Sequence, residues 1–144
     1  MKSIAQLEIN PAILLSPAPQ ALWVVQGLLA LTFLFAGGLK LVLPIDDLTE
    51  QTALPGLFLR FIGLAEVVGA IGLILPGVLR IRPGLTPLAA AGLVIIMTGA
   101  TVLTLADGSV AGALLPLVVG LLAAFVVYGR RSWLIAASRP STPR

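Results

Sequence analysis

The chain contains no cysteine and no histidine, and it has few charged residues. Without cysteine it can form no disulfide and no thiolate-held iron–sulfur cluster. Without histidine it lacks the usual ligand for haem, zinc and copper, so we predict no metal site. Redox chemistry would therefore require a bound organic cofactor or a partner protein.

Charged residues make up only 10% of the 144 residues, whereas 58% are hydrophobic. Soluble domains contain about 25% charged residues. A soluble fold could not cover so much apolar surface with so few charges, but a bilayer removes the need for a polar exterior. The net charge of +3 does not indicate a nucleic-acid partner, because the basic residues lie between hydrophobic segments. The composition therefore predicts an integral membrane protein.

Four segments are long and apolar enough to cross a bilayer as α-helices, which takes about 20 residues each. Residues that favour turns, mainly proline, glycine and aspartate, separate them. We predict an all-α transmembrane four-helix bundle with spans at about 21–43, 57–75, 85–106 and 111–128. Residues 1–20 are expected to form an N-terminal arm before the 21–131 transmembrane domain, and residues 132–144 a disordered cytoplasmic tail. A cleaved signal peptide is the competing interpretation of the first segment, although its apolar core is too long for one.

The loops between the spans alternate in charge. Basic residues precede the first span, separate the second from the third, and follow the fourth: Lys2, Arg80, Arg82, Arg130, Arg131, Arg139 and Arg144. Acidic residues occupy the other two loops: Asp46, Asp47, Glu50 and Asp107. Since lysine and arginine mark the cytoplasmic side, we predict a multi-pass protein of the cell (plasma or inner) membrane with both termini cytoplasmic. Arg60, near the outer end of the second span, is the exception and is expected to extend toward the headgroups.

Two ionisable side chains, Lys40 and Glu66, lie within the first two spans. Such residues are costly in a membrane and are functional candidates by default. Because side chains lean toward the N-terminus of their helix, the two lean toward each other in antiparallel helices. They could simply fasten the helices together, or line a polar cavity that binds a head group, a quinone or a proton. Alternatively, Lys40 extends outward and Glu66 stays protonated.

Three uncharged polar residues join this pair as candidate ligand-binding residues: Gln26, Thr101 and Thr104. Gln26 could bond across the bundle, whereas threonine hydroxyls usually bond to carbonyls of their own helix. Small residues such as Ala65 and Gly69 favour packing within the bundle, with homo-oligomerisation as the alternative. No catalytic constellation is present, so Glu66 is the sole candidate acid or base.

Glycine and lysine stand together near the end of the first span, in Gly37-Gly38-Leu39-Lys40-Leu41, and residues 61–76 form a glycine-rich apolar run around Glu66. These segments resemble the glycine-then-lysine signature and the second helix of the DoxX-like family of small four-helix membrane proteins. Residues 85–100 resemble its third helix, and Tyr128-Gly129-Arg130 resembles its usual ending. The family's lysine and glutamate carry over to Lys40 and Glu66, whereas Thr104 stands where many relatives carry a histidine.

The resemblance implies a four-helix bundle associated with membrane redox systems. We therefore expect an accessory or ligand-binding subunit of a quinone-linked system, with membrane oxidoreductase subunits as partners. A quinone is the candidate ligand, and no intrinsic cofactor is expected. The alternatives are a small-molecule carrier acting as an oligomer, and a membrane enzyme that uses Glu66 as acid or base on a lipophilic substrate.

Overall fold

The computed structural model describes residues 19–50 and 52–133 of the chain. These residues form four long helices and one short helix. In chain order the helices are α1 (Pro19–Val42), α2 (Ile45–Thr49), α3 (Gly56–Leu79), α4 (Leu85–Ala106) and α5 (Val110–Gly129). Most of the predicted N-terminal arm and tail lies outside the described residues.

The four long helices match the thickness of a bilayer. They contain 20 to 24 residues. At 1.5 Å per residue they are about 30–36 Å long, and the hydrocarbon core is about 30 Å thick. All four are long and apolar enough to cross a membrane. The predicted all-α fold with four helices suited to span a membrane is therefore confirmed.

Helix α3 is longer than the sequence pattern indicates. The second span is predicted to end near Leu75, but the helix continues through Pro76 to Leu79. Pro76 has no N–H to donate to the carbonyl of Gly72, a loss that membrane helices tolerate when neighbours compensate. The helix ends at Arg80, which adopts a left-handed conformation with φ of 53° and donates its backbone N–H to the carbonyl of Pro76.

The long helices pack as two antiparallel hairpins. Helix α1 lies along α3, and α4 lies along α5, while α3 and α4 join the hairpins and α1 makes a smaller contact with α5. Glycines bring α3 close to α4. A Cβ added at Gly69 would come within 2.7 Å of Leu93 Cδ2, and one at Gly72 within 2.7 Å of Ala89 Cβ. These small residues therefore serve packing within the chain.

Apolar side chains fill the bundle and also cover its outer surface. The core contains large buried side chains from all four long helices, namely Leu29, Phe33, Leu73, Leu93 and Val126. Other large side chains on the outer surface are between 65% and 73% exposed, namely Leu31, Phe35, Phe61, Ile95 and Leu115. A water-soluble monomer rarely exposes so much contiguous apolar surface, whereas a bilayer solvates it.

The two ends of the bundle differ in charge. We call one the basic end, defined by Arg80, Arg82, Arg130 and Arg131, where α1 and α4 begin and α3 and α5 end. The other is the acidic end, defined by Asp46, Asp47, Glu50 and Asp107, where α1 and α4 end and α3 and α5 begin.

Candidate functional site

Lys40 and Glu66 form an ion pair between α1 and α3. The distance between Lys40 Nζ and Glu66 Oε2 is 2.7 Å, within hydrogen-bonding range. The Glu66 side chain is 2% exposed, whereas that of Lys40 is 27% exposed. Glu66 therefore lies inside the bundle and Lys40 connects it to the outer surface. The structure shows direct pairing, and neither side chain is left alone in the apolar interior.

Two facing glycines make this pairing possible. A Cβ at Gly37 would lie 2.6 Å from the carbonyl oxygen of Gly63, and a Cβ at Gly63 would lie 2.7 Å from Lys40 Cβ. Both distances are too short for side chains, so the backbones of α1 and α3 approach as closely as glycine allows. This approach brings the stem of Lys40 over α3, one turn before Glu66.

A second cation, Arg60, is hydrogen-bonded to the C-terminal end of α1. The Arg60 guanidinium of α3 donates hydrogen bonds to the carbonyl oxygens of Leu41 and Leu43. These carbonyls lie at the helix C-terminus, where intrahelical partners run out and the helix dipole favours positive charge. Arg60 therefore caps α1 and ties it to α3, a role that differs from the expected extension toward the headgroups.

The Lys40–Glu66 pair offers both donors and acceptors at one place within the membrane. A lysine ammonium has three N–H donors and a carboxylate has two acceptor oxygens. In the described part of the chain, the Lys40 ammonium makes one hydrogen bond, to Glu66. Its other donors are available to a carbonyl or hydroxyl of a ligand that reaches its exposed side.

An apolar groove lies on α1 and α3 at the acidic end, and neither Lys40 nor Glu66 lines it. Its volume is about 640 Å³, and it is lined by Leu41, Pro55, Leu57, Phe58, Arg60, Phe61 and Leu64. Its volume falls within the range of about 300–1,000 Å³ that is typical of small-molecule sites, but the groove is shallow and open to the outer surface.

The structure does not join the other predicted site residues to this pair. The hydroxyls of Thr101 and Thr104 donate to the carbonyls of Met97 and Ala100 in their own helix, as expected for threonine in a helix. Gln26 is fully buried and lies toward the basic end of α1. The five predicted residues therefore do not form one cluster.

Gln26 instead belongs to a second polar cluster, in which its partner is an arginine that the charge pattern groups with the loops and tail. Its Nε2 donates to the carbonyl of Leu73 at 2.6 Å, and its Oε1 accepts from Arg130 Nε at 2.8 Å. The Arg130 guanidinium also lies over the rings of Trp23 and Trp133, at 5.3 Å and 4.1 Å from their centroids. These contacts join the basic ends of α1, α3 and α5.

Arg130 is buried, although its position after the fourth span groups it with the loop and tail arginines. It is 6% exposed, and burial lowers the pKa of its guanidinium because leaving water penalises the charged form. Arginine nonetheless stays protonated at neutral pH. One sequence signal could have pointed to it: Gln26, an amide in an apolar span, needs polar partners that cross the bundle.

In residues 19–50 and 52–133, no cluster of three or more acidic side chains is arranged to hold a metal ion. The chain has neither histidine nor cysteine to add to such a cluster. The described residues therefore contain two candidate polar sites, Lys40–Glu66 toward the acidic end and Gln26–Arg130 at the basic end.

A family model described as the DoxX-like family matches residues 24–126. The chain belongs to the DoxX-like family. This confirms the resemblance noted in its helices and, together with the four apolar helices, makes it a multi-pass membrane protein. No curated protein and no solved structure matches the chain. The DoxX-like match contains Lys40 and Glu66, whereas Trp23, Arg130 and Trp133 lie outside it.

Proposed function

We propose that this DoxX-like protein is a non-catalytic accessory subunit of a quinone-linked redox system, in which Lys40 and Glu66 bind the head group of a quinone. The observation that carries the proposal is the ion pair itself: Glu66 is 2% exposed, and its partner Lys40 is 27% exposed. Charged residues are kept inside a membrane chiefly where they serve a ligand or ion path.

Quinone chemistry suits this pair. The two carbonyl oxygens of a quinone accept hydrogen bonds, and the Lys40 ammonium has donors beyond the one given to Glu66. A quinol would instead donate its hydroxyl proton in a hydrogen bond to a carboxylate oxygen of Glu66. The isoprenoid tail would lie along the apolar outer surface, beginning in the groove at Leu41 and Phe61.

An accessory role fits better than a carrier, because the middle of the bundle is filled. Leu29, Phe33, Leu73 and Leu93 are each at most 2% exposed and meet between the hairpins. A carrier would have to separate these side chains to open a path. We also propose that the basic end faces the cytoplasm of the cell (inner) membrane, placing both termini and the loop with Arg80 and Arg82 on that side.

The proposal is tested by purifying the full chain from its native membrane in mild detergent and measuring retained quinone by mass spectrometry. We expect quinone, together with subunits of a membrane oxidoreductase, in the native preparation. Loss of a hydrogen bond to a charged group costs about 1.5–3 kcal/mol, so Lys40→Met and Glu66→Gln should weaken quinone binding about tenfold or more.

The matched control is Asp107→Asn, which removes an exposed carboxylate at the same acidic end. It should retain as much quinone as the native chain. Equal retention in all four proteins, or no quinone in any of them, would contradict the proposal. Substrate flux into liposomes that contain this chain alone would favour the carrier instead.

A further inference from the structure

The buried cation at the basic end has no counter-ion within the described residues. The described residues contain five carboxylates. Four of them lie at the acidic end, away from Arg130, and the fifth, Glu66, pairs with Lys40. Glu8, the remaining acidic residue, lies outside the described residues. Buried charges in proteins are paired as a rule, because an isolated charge loses its hydration without compensation. Among the described residues, Arg130 therefore has no anion with which to pair.

Arg130 also has a donor without an acceptor. Its Nε donates to Gln26, but its Nη2 is buried and has no hydrogen-bond partner in the part of the chain that the structure describes. The hydroxyl of Thr86, in the first turn of α4 at the same end, is buried and likewise unpartnered among those residues. Buried donors are nearly always satisfied, so a ligand or water supplies what the helices do not.

Arg130 lies at the depth in the bilayer where lipid phosphates lie. It directly follows α5, whose 20 residues span about 30 Å, so it lies at the level of the headgroups. Its guanidinium contacts the rings of Trp23 and Trp133, and tryptophan prefers that same depth. Nearby exposed arginines, Arg80, Arg82 and Arg131, give this face a positive potential that attracts anionic lipids.

We propose that Arg130, which lies over the rings of Trp23 and Trp133, binds the phosphate of an anionic phospholipid. A guanidinium forms paired, charge-assisted hydrogen bonds with phosphate oxygens, which matches the donor left over at Nη2. Gln26 is a positioning residue, because it connects Arg130 to the carbonyl of Leu73 and fixes the direction of the remaining donors. The lipid is then a structural ligand that joins α1, α3 and α5 at the basic end.

The chain carries its own reporter for this site. Its only two tryptophans are Trp23 and Trp133. Reconstituted full-length protein is placed in vesicles of phosphatidylcholine mixed with either brominated phosphatidylglycerol or brominated phosphatidylcholine, and quenching of tryptophan emission reports which lipid occupies the site. Measurements at about 1 M salt, where the Debye length is about 3 Å, screen the exposed arginines but not a buried contact.

We expect the native chain to prefer phosphatidylglycerol about fivefold or more, the ratio that corresponds to one effective basic contact at a membrane surface. Arg130→Gln should bring the ratio close to one. The matched control is Arg131→Gln, since Arg131 is the adjacent arginine, is exposed and stacks on Tyr128. It should keep most of the preference at high salt.

Several results would overturn the proposal. Equal quenching by the two lipids in the native chain would do so without any variant, even if Arg130→Gln fails to fold. Equal losses in Arg131→Gln and Arg130→Gln would mean that general surface charge is responsible. A preference that appears only in Glu8→Gln would show that Glu8 fills the site. Inorganic phosphate that shifts the emission in phosphatidylcholine vesicles, without a lipid preference, would point to a free anion.

Discussion

Replacing Gly37 with alanine places a methyl group at the tightest contact between α1 and α3. The added Cβ would lie 2.6 Å from the carbonyl oxygen of Gly63, 2.9 Å from Val67 Cγ2 and 3.0 Å from Glu66 Cβ. Side-chain rotation can relieve the contact with Val67. The contact with Gly63 involves backbone, so the two helices themselves must move apart.

The size of the movement sets the expected cost. Ordinary contact begins at 3.4 Å, so relieving a distance of 2.6 Å requires a displacement of about 0.8 Å. Overpacking of this kind typically costs about 1–3 kcal/mol. We expect Gly37→Ala to lower the free energy of unfolding by that amount and to loosen the Lys40–Glu66 pair, whose geometry depends on the same close approach.

The neighbouring glycine provides the control. A Cβ at Gly38 meets no atom within 4 Å, so Gly38→Ala adds the same methyl group to the same helix without a clash. Alanine is the better helix former by up to about 1 kcal/mol, so this variant should be as stable as the native chain or more stable. Unfolding in mixed micelles of dodecyl sulfate and mild detergent, followed by tryptophan emission, measures both. Equal stability of the two variants would refute the reasoning.

Three further predictions concern contacts between helices. Lys40→Met should destabilise the fold more than Glu66→Leu, because Lys40→Met leaves the buried Glu66 carboxylate (2% exposed) unpaired, whereas Glu66→Leu leaves only the partly exposed Lys40 (27%) unpaired. The double variant should lose less stability than the two single variants combined, and additive losses would exclude a pair. Arg60→Gln removes two hydrogen bonds to the carbonyls at the end of α1 and should speed hydrogen–deuterium exchange in its last turn, with no change in exchange elsewhere in the helix. Gly77→Ala would place a Cβ 2.8 Å from one tryptophan ring and should shift the tryptophan emission, whereas Gly92→Ala, with no atom within 4 Å, should not.

The ion pair could be predicted from the sequence because its two residues lie in consecutive spans joined by one loop. Consecutive membrane helices are antiparallel neighbours, and the rise per residue fixes how deep Lys40 and Glu66 lie. Hydropathy places both residues inside the spans, and the direction in which side chains lean brings them together. Local information was therefore sufficient to bring the two side chains within reach of each other, but it also allowed Lys40 to extend outward and leave Glu66 protonated.

The second cluster could not be predicted in the same way. Gln26 and Arg130 are separated by 104 residues, and their contact depends on how the two hairpins close. The charge pattern groups Arg130 with the arginines of the loops and tail, and no neighbouring residue distinguishes a buried arginine after a span from an exposed one such as Arg131.

Helix α3 also continues past Pro76, because packing of the bundle outweighs the local preference of proline for ending a helix.

The two sites lie at opposite ends of the same pair of helices, and this separation makes them independent. Gln26 and Lys40 are 14 residues apart on α1, which corresponds to about 21 Å along the helix. Perturbations farther apart than about 10 Å, with no shared partners, generally add without coupling. If the proposed quinone site is correct, Glu66→Gln should therefore lower quinone retention and leave the preference for phosphatidylglycerol unchanged, while Arg130→Gln should do the reverse. If Glu66→Gln also lowered the lipid preference, α1 and α3 would have to shift as a unit, and the lipid would then report on the occupancy of the quinone site from the other side of the membrane.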